Sequence, residues 1–278
     1  MKIFVTGATS FLGSYFLREA TELNFELTCL RREGSMPRVP VNGEMCWLER
    51  EFEADFTDVF SITDCFVHFL AAGVTPQPLD WDTALSVNVM HSFNLWRQAA
   101  EAGVKRFVIC GSASEYGTSC QRFEPVPPDA PLEPSGAYAT SKAVSSIFAR
   151  ALAREFDLEL IYVRPFNLYG LGQYEKNFWP ALRKAALSGE DFEMTEGTQI
   201  RDFSSVELAV QFFLDCVMHR KLTPGQPEFV NFGSGAPNAL IGYAREWWAE
   251  FGATGQLLPG TLRQRVNEIE KITPLLSE

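Results

Sequence analysis

The 278-residue sequence contains no apolar run approaching the about 20 residues that a membrane helix needs. No membrane partner is therefore expected, and because Met1 opens directly onto a strand-like segment instead of a charged-then-apolar leader, a cytoplasmic location is expected too. CxxC spacing is absent among the six cysteines, Cys29, Cys46, Cys65, Cys110, Cys120 and Cys216. Cys29, Cys65 and Cys110 sit in strand-like apolar runs where a thiol acts as a small hydrophobe, so reduced thiols and no metal site are expected. Positive charge is in deficit, with 24 Lys+Arg against 35 Asp+Glu and a net charge of −11. That opposes nonspecific binding to nucleic acid or anionic lipid, and a polyanionic ligand would have to be met by a few local arginines and helix ends. With 20 Gly and 16 Pro the chain is far from collagen-like or low-complexity sequence, and 46% apolar residues suffice for a sizeable core. No repeat or charge block is present. The one Pro-rich stretch, Glu124 to Pro134, is too short for an interdomain linker and reads as a loop on the active-site side.

Strand-length apolar runs alternate with longer segments of helical period. Lys2 to Val5, Ser14 to Glu22 and Phe25 to Leu30 read as strand, helix, strand. Cys65 to Leu70, about Asp82 to Ala102, Arg106 to Cys110, about Ala137 to Phe156 and Leu158 to Val163 continue the alternation. This order predicts an α/β fold, a doubly wound parallel sheet with helices on both faces. After Gly170 the regularity fades into helical segments Asn177 to Ser188 and Val206 to Met218 and a strand at Phe229 to Phe232. A smaller C-terminal lobe is inferred. The expected division is residues 1–165 for dinucleotide binding and 166–278 mainly for a substrate-binding lobe, with a return of segments in 198–235 to the first unit left open.

Between the first strand and first helix lies Thr6-Gly7-Ala8-Thr9-Ser10-Phe11-Leu12-Gly13. Glycine at the turn and where helix meets strand lets the backbone approach a pyrophosphate, whose charge rests on the helix N-terminus. Gly7, Thr9, Ser10, Phe11, Leu12 and Gly13 are the candidate contacts. Ser10 stands where a middle glycine is usual, and its side chain either crowds the pyrophosphate or donates to it. After the second strand, where NAD calls for an acidic residue, stand Arg31 and Arg32. Two guanidinium groups suit the 2′-phosphate of NADP, the alternative being a solvated pair. The third constellation is Ser112, Tyr138 and Lys142. Tyr138 and Lys142 share a helix face at i, i+4, so a cationic Lys142 is expected to lower the phenol pKa and let Tyr138 exchange a proton while hydride moves, with Ser112 holding the same oxygen.

These residues resemble the extended short-chain dehydrogenase/reductase family of nucleotide-sugar epimerases, dehydratases and ketoreductases. The resemblance runs nearly end to end, through His68-Phe69-Leu70-Ala71-Ala72, Asn88-Val89, Arg164-Pro165-Phe166-Asn167-Leu168-Tyr169-Gly170, Arg201-Asp202-Phe203 and Asn231-Phe232-Gly233-Ser234-Gly235. It implies a Rossmann fold, a nucleotide-sugar substrate and a homodimer paired through helices bearing Leu85, Val89, Phe93, Ile147 and Phe148, which could equally face their own sheet. It also implies that Leu70, Ala71, Ala72 and Pro165, with Tyr138 and Lys142, line the cofactor. Ser112, Ser114, Asn167, Asn177, Arg201 and Arg265 would meet the substrate, Arg201 at the diphosphate unless it is spent on a salt bridge to Asp202 or a neighbour. His68, inside a strand-like run, is read as structural.

Departures from the family choose among its reactions. Dehydratases carry an Asp-Glu pair after their Ser/Thr, and this chain has Ala113 and Ser114. Epimerase-reductases resembling GDP-fucose synthase carry Cys and His where Ser114 and Phe178 or Trp179 stand. What remains needs Ser, Tyr, Lys and a dinucleotide: NADP-dependent reduction of a 4-keto nucleotide sugar, favoured by the two arginines and a tail resembling bacterial deoxysugar 4-ketoreductases, or NAD-dependent 4-epimerisation. A non-catalytic dinucleotide-binding sensor or scaffold is the reading from another class.

Overall fold

The computed structural model describes residues 1–75, 77–264 and 268–276. Lys2–Thr6 (β1) buries four of its five residues, as a strand covered on both faces must. It pairs in parallel with Glu26–Leu30 (β2) on one side. Cys46–Leu48 (β3) extends that side, and Cys65–His68 (β4) flanks β1 on the other. Arg106–Cys110 (β5), Glu159–Pro165 (β6) and Glu228–Phe232 (β7) complete a seven-stranded sheet in the order β7-β6-β5-β4-β1-β2-β3. Every pairing in it is parallel. The strand order reverses between β1 and β4, and the crevice outside their C-terminal ends is where such sheets bind ligands.

The sheet's alternation divides the core. Ile3 and Val5 face a layer built with Phe11–Glu22 (α1), while Phe4, Phe66 and Phe107 face a second layer containing Leu95 and Trp96 of Ser92–Glu101 (α2) and Leu152 of Gly136–Glu155 (α3). Phe178–Ser188 (α4) belongs to the smaller lobe, whereas Val206–Met218 (α5) returns to pack beside α1 through Val210, Phe213 and Leu214. Leu240–Glu250 (α6) closes the lobe with Tyr243, Trp247 and Trp248 against Leu182 and Met194. Among the described residues, no helix is long and apolar enough to cross a membrane.

Two details differ from the sequence reading. A third strand, Cys46–Leu48, joins the sheet although at three residues it is too short to show a period in the sequence. The long helix expected from Asp82 spans 81–101, but Ala84–His91 within it is wound as a π-helix. Asn88, in that wider stretch, binds both polar groups of the Ala72 backbone, accepting from its N–H at 2.7 Å and donating to its C=O at 3.0 Å. Its amide also donates to Ser141 Oγ at 2.9 Å, so one side chain ties the segment after β4 to α3.

His68 ends β4 buried, with Nδ1 2.7 Å from Thr6 Oγ1 and its ring edge-on to Trp96. Burial, and next the charge of Lys142, hold its pKa well below the ordinary 6.5. Below that pH the unfolded chain takes up a proton that the folded chain refuses, so the stability present above pH 6.5 is lost as pH falls. Between pH 6.5 and 5.5 the loss amounts to about 1 kcal/mol. Urea unfolding at both pH values is expected to show this difference in the native chain and a smaller one in His68→Gln.

Candidate active site

The glycine loop leaves no room for side chains at its two fixed points. Gly7 has φ +68°, and an added Cβ would lie 2.5 Å from the Leu70 nitrogen; one on Gly13 would collide with the Gly7 carbonyl oxygen. This cradle at the C-terminal end of β1 fits a dinucleotide pyrophosphate, and the first N–H groups of α1 have no intrahelical acceptor. Ser10 has a role that the sequence reading did not weigh. It is the N-cap of α1, its Oγ accepting the Gly13 N–H at 3.1 Å, which leaves the hydroxyl proton free to donate. Thr9 Oγ1 lies 2.8 Å from Ser35 Oγ, tying the loop to the chain after β2.

The two arginines after β2 have separate fates. Arg31 is paired with Glu49, whereas Arg32 is exposed and forms no ion pair among the described residues.

Ser112 opens a short 3₁₀ turn at the end of β5. Its Oγ lies 2.8 Å from Ser114 Oγ, and its N–H donates to Glu115 Oε1 at 2.8 Å. Tyr138 stands half-buried in the first turn of α3, with Ser112 among the groups that act on its phenol. Burial raises the phenol pKa above its usual value and outweighs the lowering by Ser112. Lys142 lies one turn on, buried, its Nζ donating to the Cys110 carbonyl at 2.7 Å. The expectation that Lys142 lowers the phenol is corrected: its ammonium is held on Cys110, and burial depresses its own pKa. Gly73 (φ +90°) lies so close to Tyr138 that an added Cβ would sit 3.0 Å from the ring.

Beneath this triad is a network that sequence reasoning missed. The fully buried Glu115 accepts from Arg164 Nε at 2.7 Å and from Tyr162 Oη at 3.0 Å. Arg164 also donates to Tyr116 Oη at 3.1 Å, and Tyr116 to Asn231 Oδ1 at 2.7 Å. One carboxylate thus fixes the Ser112 backbone and, through Tyr162, whose hydroxyl also reaches the Lys142 carbonyl, the helix bearing Tyr138. A signal was available: Arg164 follows Leu160-Ile161-Tyr162-Val163 in a strand covered on both faces, where a charge requires a partner.

The expected substrate contacts are less free. Asn167 donates to the Asp202 carbonyl at 3.1 Å. Arg201 is ion-paired with Glu268 and donates to the carbonyls of Ile200 at 2.8 Å and Ile269 at 2.9 Å. The salt-bridge alternative therefore describes Arg201 here, with Glu268 and not Asp202 as the carboxylate. Asp202 instead anchors the Ser234-Gly235 turn, accepting three hydrogen bonds from it. Asn177 is the N-cap position of α4 without a side-chain cap bond. Leu70, Ala71 and Ala72 follow β4, Pro165 ends β6, and Ser114 lies against Ser112. Arg265 lies outside the described residues.

Comparison with known proteins agrees with this geometry. Residues 3–233 match the sequence model of the NAD dependent epimerase/dehydratase family. A UDP-glucose 4-epimerase of Lactobacillus helveticus is 23% identical over 263 residues, covering 84% of this chain and 77% of its own. A dTDP-D-glucose 4,6-dehydratase of Mus musculus is 30% identical over 221 residues, 74% of this chain, although the chain spans only 56% of that relative. A dTDP-6-deoxy-L-talose 4-dehydrogenase (NAD(+)) of Aggregatibacter actinomycetemcomitans is 22% identical over 261 residues, 90% of each chain. Among solved structures, MoeE5 in complex with UDP-glucuronic acid and NAD superposes with a TM-score of 0.83 at 25% identity, covering 99% of this chain and 90% of its own. With its doubly wound sheet, glycine cradle and Ser112-Tyr138-Lys142 constellation, the chain belongs to the NAD-dependent epimerase/dehydratase family of nucleotide-sugar enzymes.

Proposed function

We propose that the protein is an oxidoreductase acting at C4 of a nucleotide sugar, reducing a 4-keto group to the alcohol. The observation that carries this is the Tyr138 phenol, its pKa raised by burial so that it stays protonated, beside positions 113 and 114 that hold Ala and Ser instead of carboxylates. A protonated phenol is the donor that ketone reduction needs, whereas eliminating water needs an acid and a base that these positions do not supply. The nicotinamide, when bound, supplies or accepts the hydride. Ser112 holds the C4 oxygen while Tyr138 gives its proton to the alkoxide that forms as hydride adds to carbon. Lys142, with one N–H on Cys110, retains two others to hold ribose hydroxyls. The 4-dehydrogenase relative, matched over 90% of both chains, supports this reading.

The second reading is NAD-dependent 4-epimerisation, supported by the UDP-glucose 4-epimerase relative and the NAD held by MoeE5. The NADP(H) preference of the favoured reading rested on Arg31 and Arg32. With Arg31 engaged by Glu49, Arg32 alone remains open to a 2′-phosphate. Incubation with a 4-keto-6-deoxy nucleoside diphosphate sugar and reduced dinucleotide, followed at 340 nm, is expected to consume the two in equal amounts. Interconversion of UDP-glucose and UDP-galactose without net dinucleotide change would install the epimerase instead, and tight dinucleotide binding without either reaction would leave the sensor or scaffold.

The raised phenol pKa also sets a pH dependence. Because Tyr138 stays protonated through neutral pH, kcat for reduction is expected to be flat from about pH 6 to 9 and to fall only in more alkaline solution, while the reverse oxidation, which needs phenolate, rises with pH. Parallel pH profiles in the two directions check it.

A homodimer is proposed through the exposed side chains Leu85 and Met90 of the π-helical stretch and Ile147 and Phe148 of α3. Val89 is buried, and Phe93 packs on Phe148 with the rings tilted and their centroids 4.9 Å apart. Sedimentation at micromolar protein tests the assembly.

A further inference from the structure

The C-terminal edge of the sheet beside the glycine cradle carries the ion pair of Arg31 and Glu49. Leu30 of β2 faces Leu48 of β3, so Arg31 and Glu49 leave the sheet side by side. Arg31 N–H donates to the Leu48 carbonyl at 2.9 Å, its Nε–H donates to Glu49 Oε1 at 2.9 Å, and its Nη2 lies 2.8 Å from the same oxygen. The guanidinium also lies 4.6 Å over the Trp47 ring and reaches the Ser35 carbonyl, whose own hydroxyl is bonded to Thr9 of the cradle. Arg31 is thereby a fixed strut, its side chain 19% exposed, and Glu49 is its counter-ion, 39% exposed. The second carboxylate oxygen, Glu49 Oε2, accepts no side-chain hydrogen bond among the described residues.

We propose that Glu49 determines which dinucleotide this pocket takes, and that it selects NAD(H) over NADP(H). A 2′-phosphate is held best by paired cations, and Glu49 cancels the charge of Arg31, leaving Arg32 alone beside a carboxylate to meet it. An adenosine ribose bearing a free 2′-hydroxyl needs an acceptor, which Arg31 and Arg32 after β2 do not provide and Glu49, just after the neighbouring β3, carries. The acid that a sequence reader seeks after β2 is thus supplied from after β3, 18 residues further on. This inference rests on the reading of the Gly7–Gly13 loop as a dinucleotide cradle.

Calorimetric titration of the purified protein, stripped of nucleotide, with NADH and with NADPH tests it. The native chain is expected to bind NADH at least about tenfold more tightly. Glu49→Gln, which keeps the shape but removes the charge, is expected to shift the ratio of the two dissociation constants by about tenfold or more toward NADPH, through tighter NADPH binding. Adding Arg31→Gln to that variant is expected to cancel the gain. A native preference for NADPH, a ratio that Glu49→Gln leaves unchanged, or a gain that survives loss of Arg31 would each overturn the role of Glu49. Failure of both dinucleotides to bind the native chain would instead overturn the cradle reading beneath it.

Discussion

Replacing Tyr138 by Phe is expected to lower turnover by about 10²- to 10⁴-fold, the range that a positioned proton donor contributes, while dinucleotide affinity changes little. The substitution removes one oxygen and leaves the ring that packs beside Gly73, so the pocket keeps its shape. Both kcat and kcat/KM should fall together, because the lost interaction is made as the alkoxide develops. A variant retaining more than about a tenth of native kcat would remove Tyr138 from the chemistry and transfer the donor role to a bound water or to Ser112.

The largest expected loss of stability comes from Glu115→Gln. Glu115 and Arg164 have side chains 0% and 1% exposed and are 2.7 Å apart, so neutralising the acid leaves a guanidinium buried without its counter-charge. Breaking such a pair costs about 3–5 kcal/mol, which in a chain of this size lowers Tm by roughly 6–10 °C. Glu115→Leu combined with Arg164→Met should cost less than Glu115→Gln alone, because neither partner then remains charged. Thermal unfolding of these chains, with Glu115→Leu and Arg164→Met also measured singly, decides this, and a double variant as unstable as the sum of the two singles would show that the two residues act separately. The triad should loosen as well, since Glu115 also holds the Ser112 N–H.

What the sequence made legible was local. The glycine spacing, the alternation of strand and helix, and the one-turn step from Tyr138 to Lys142 are short-range patterns, each reporting on one turn, one element or one helix face. What escaped were pairings across the chain. Glu115 meets Arg164 from 49 residues away, and Arg201 meets Glu268 from 67. No period relates such partners, because only the completed sheet and lobe bring them together. The same limit explains the misjudged direction at Tyr138. Helical spacing puts Lys142 one turn beyond Tyr138 but could not show that its ammonium is held by the Cys110 carbonyl, nor that burial raises the phenol pKa. Arg31 and Arg32 look alike in the sequence because they are adjacent, although the end of β3 treats them differently.

The strand order also dictates how the chain can be assembled as it leaves a ribosome. β1, β2 and β3 pair in order of synthesis; β4 then docks on the free side of β1, β5 on β4, β6 on β5 and β7 on β6. Each arriving strand finds its template already in place, and none must be inserted between two earlier neighbours. The growing edge advances in one direction once β4 has docked, so a nascent chain presents one incomplete sheet margin to be shielded at each stage, instead of waiting for distant partners.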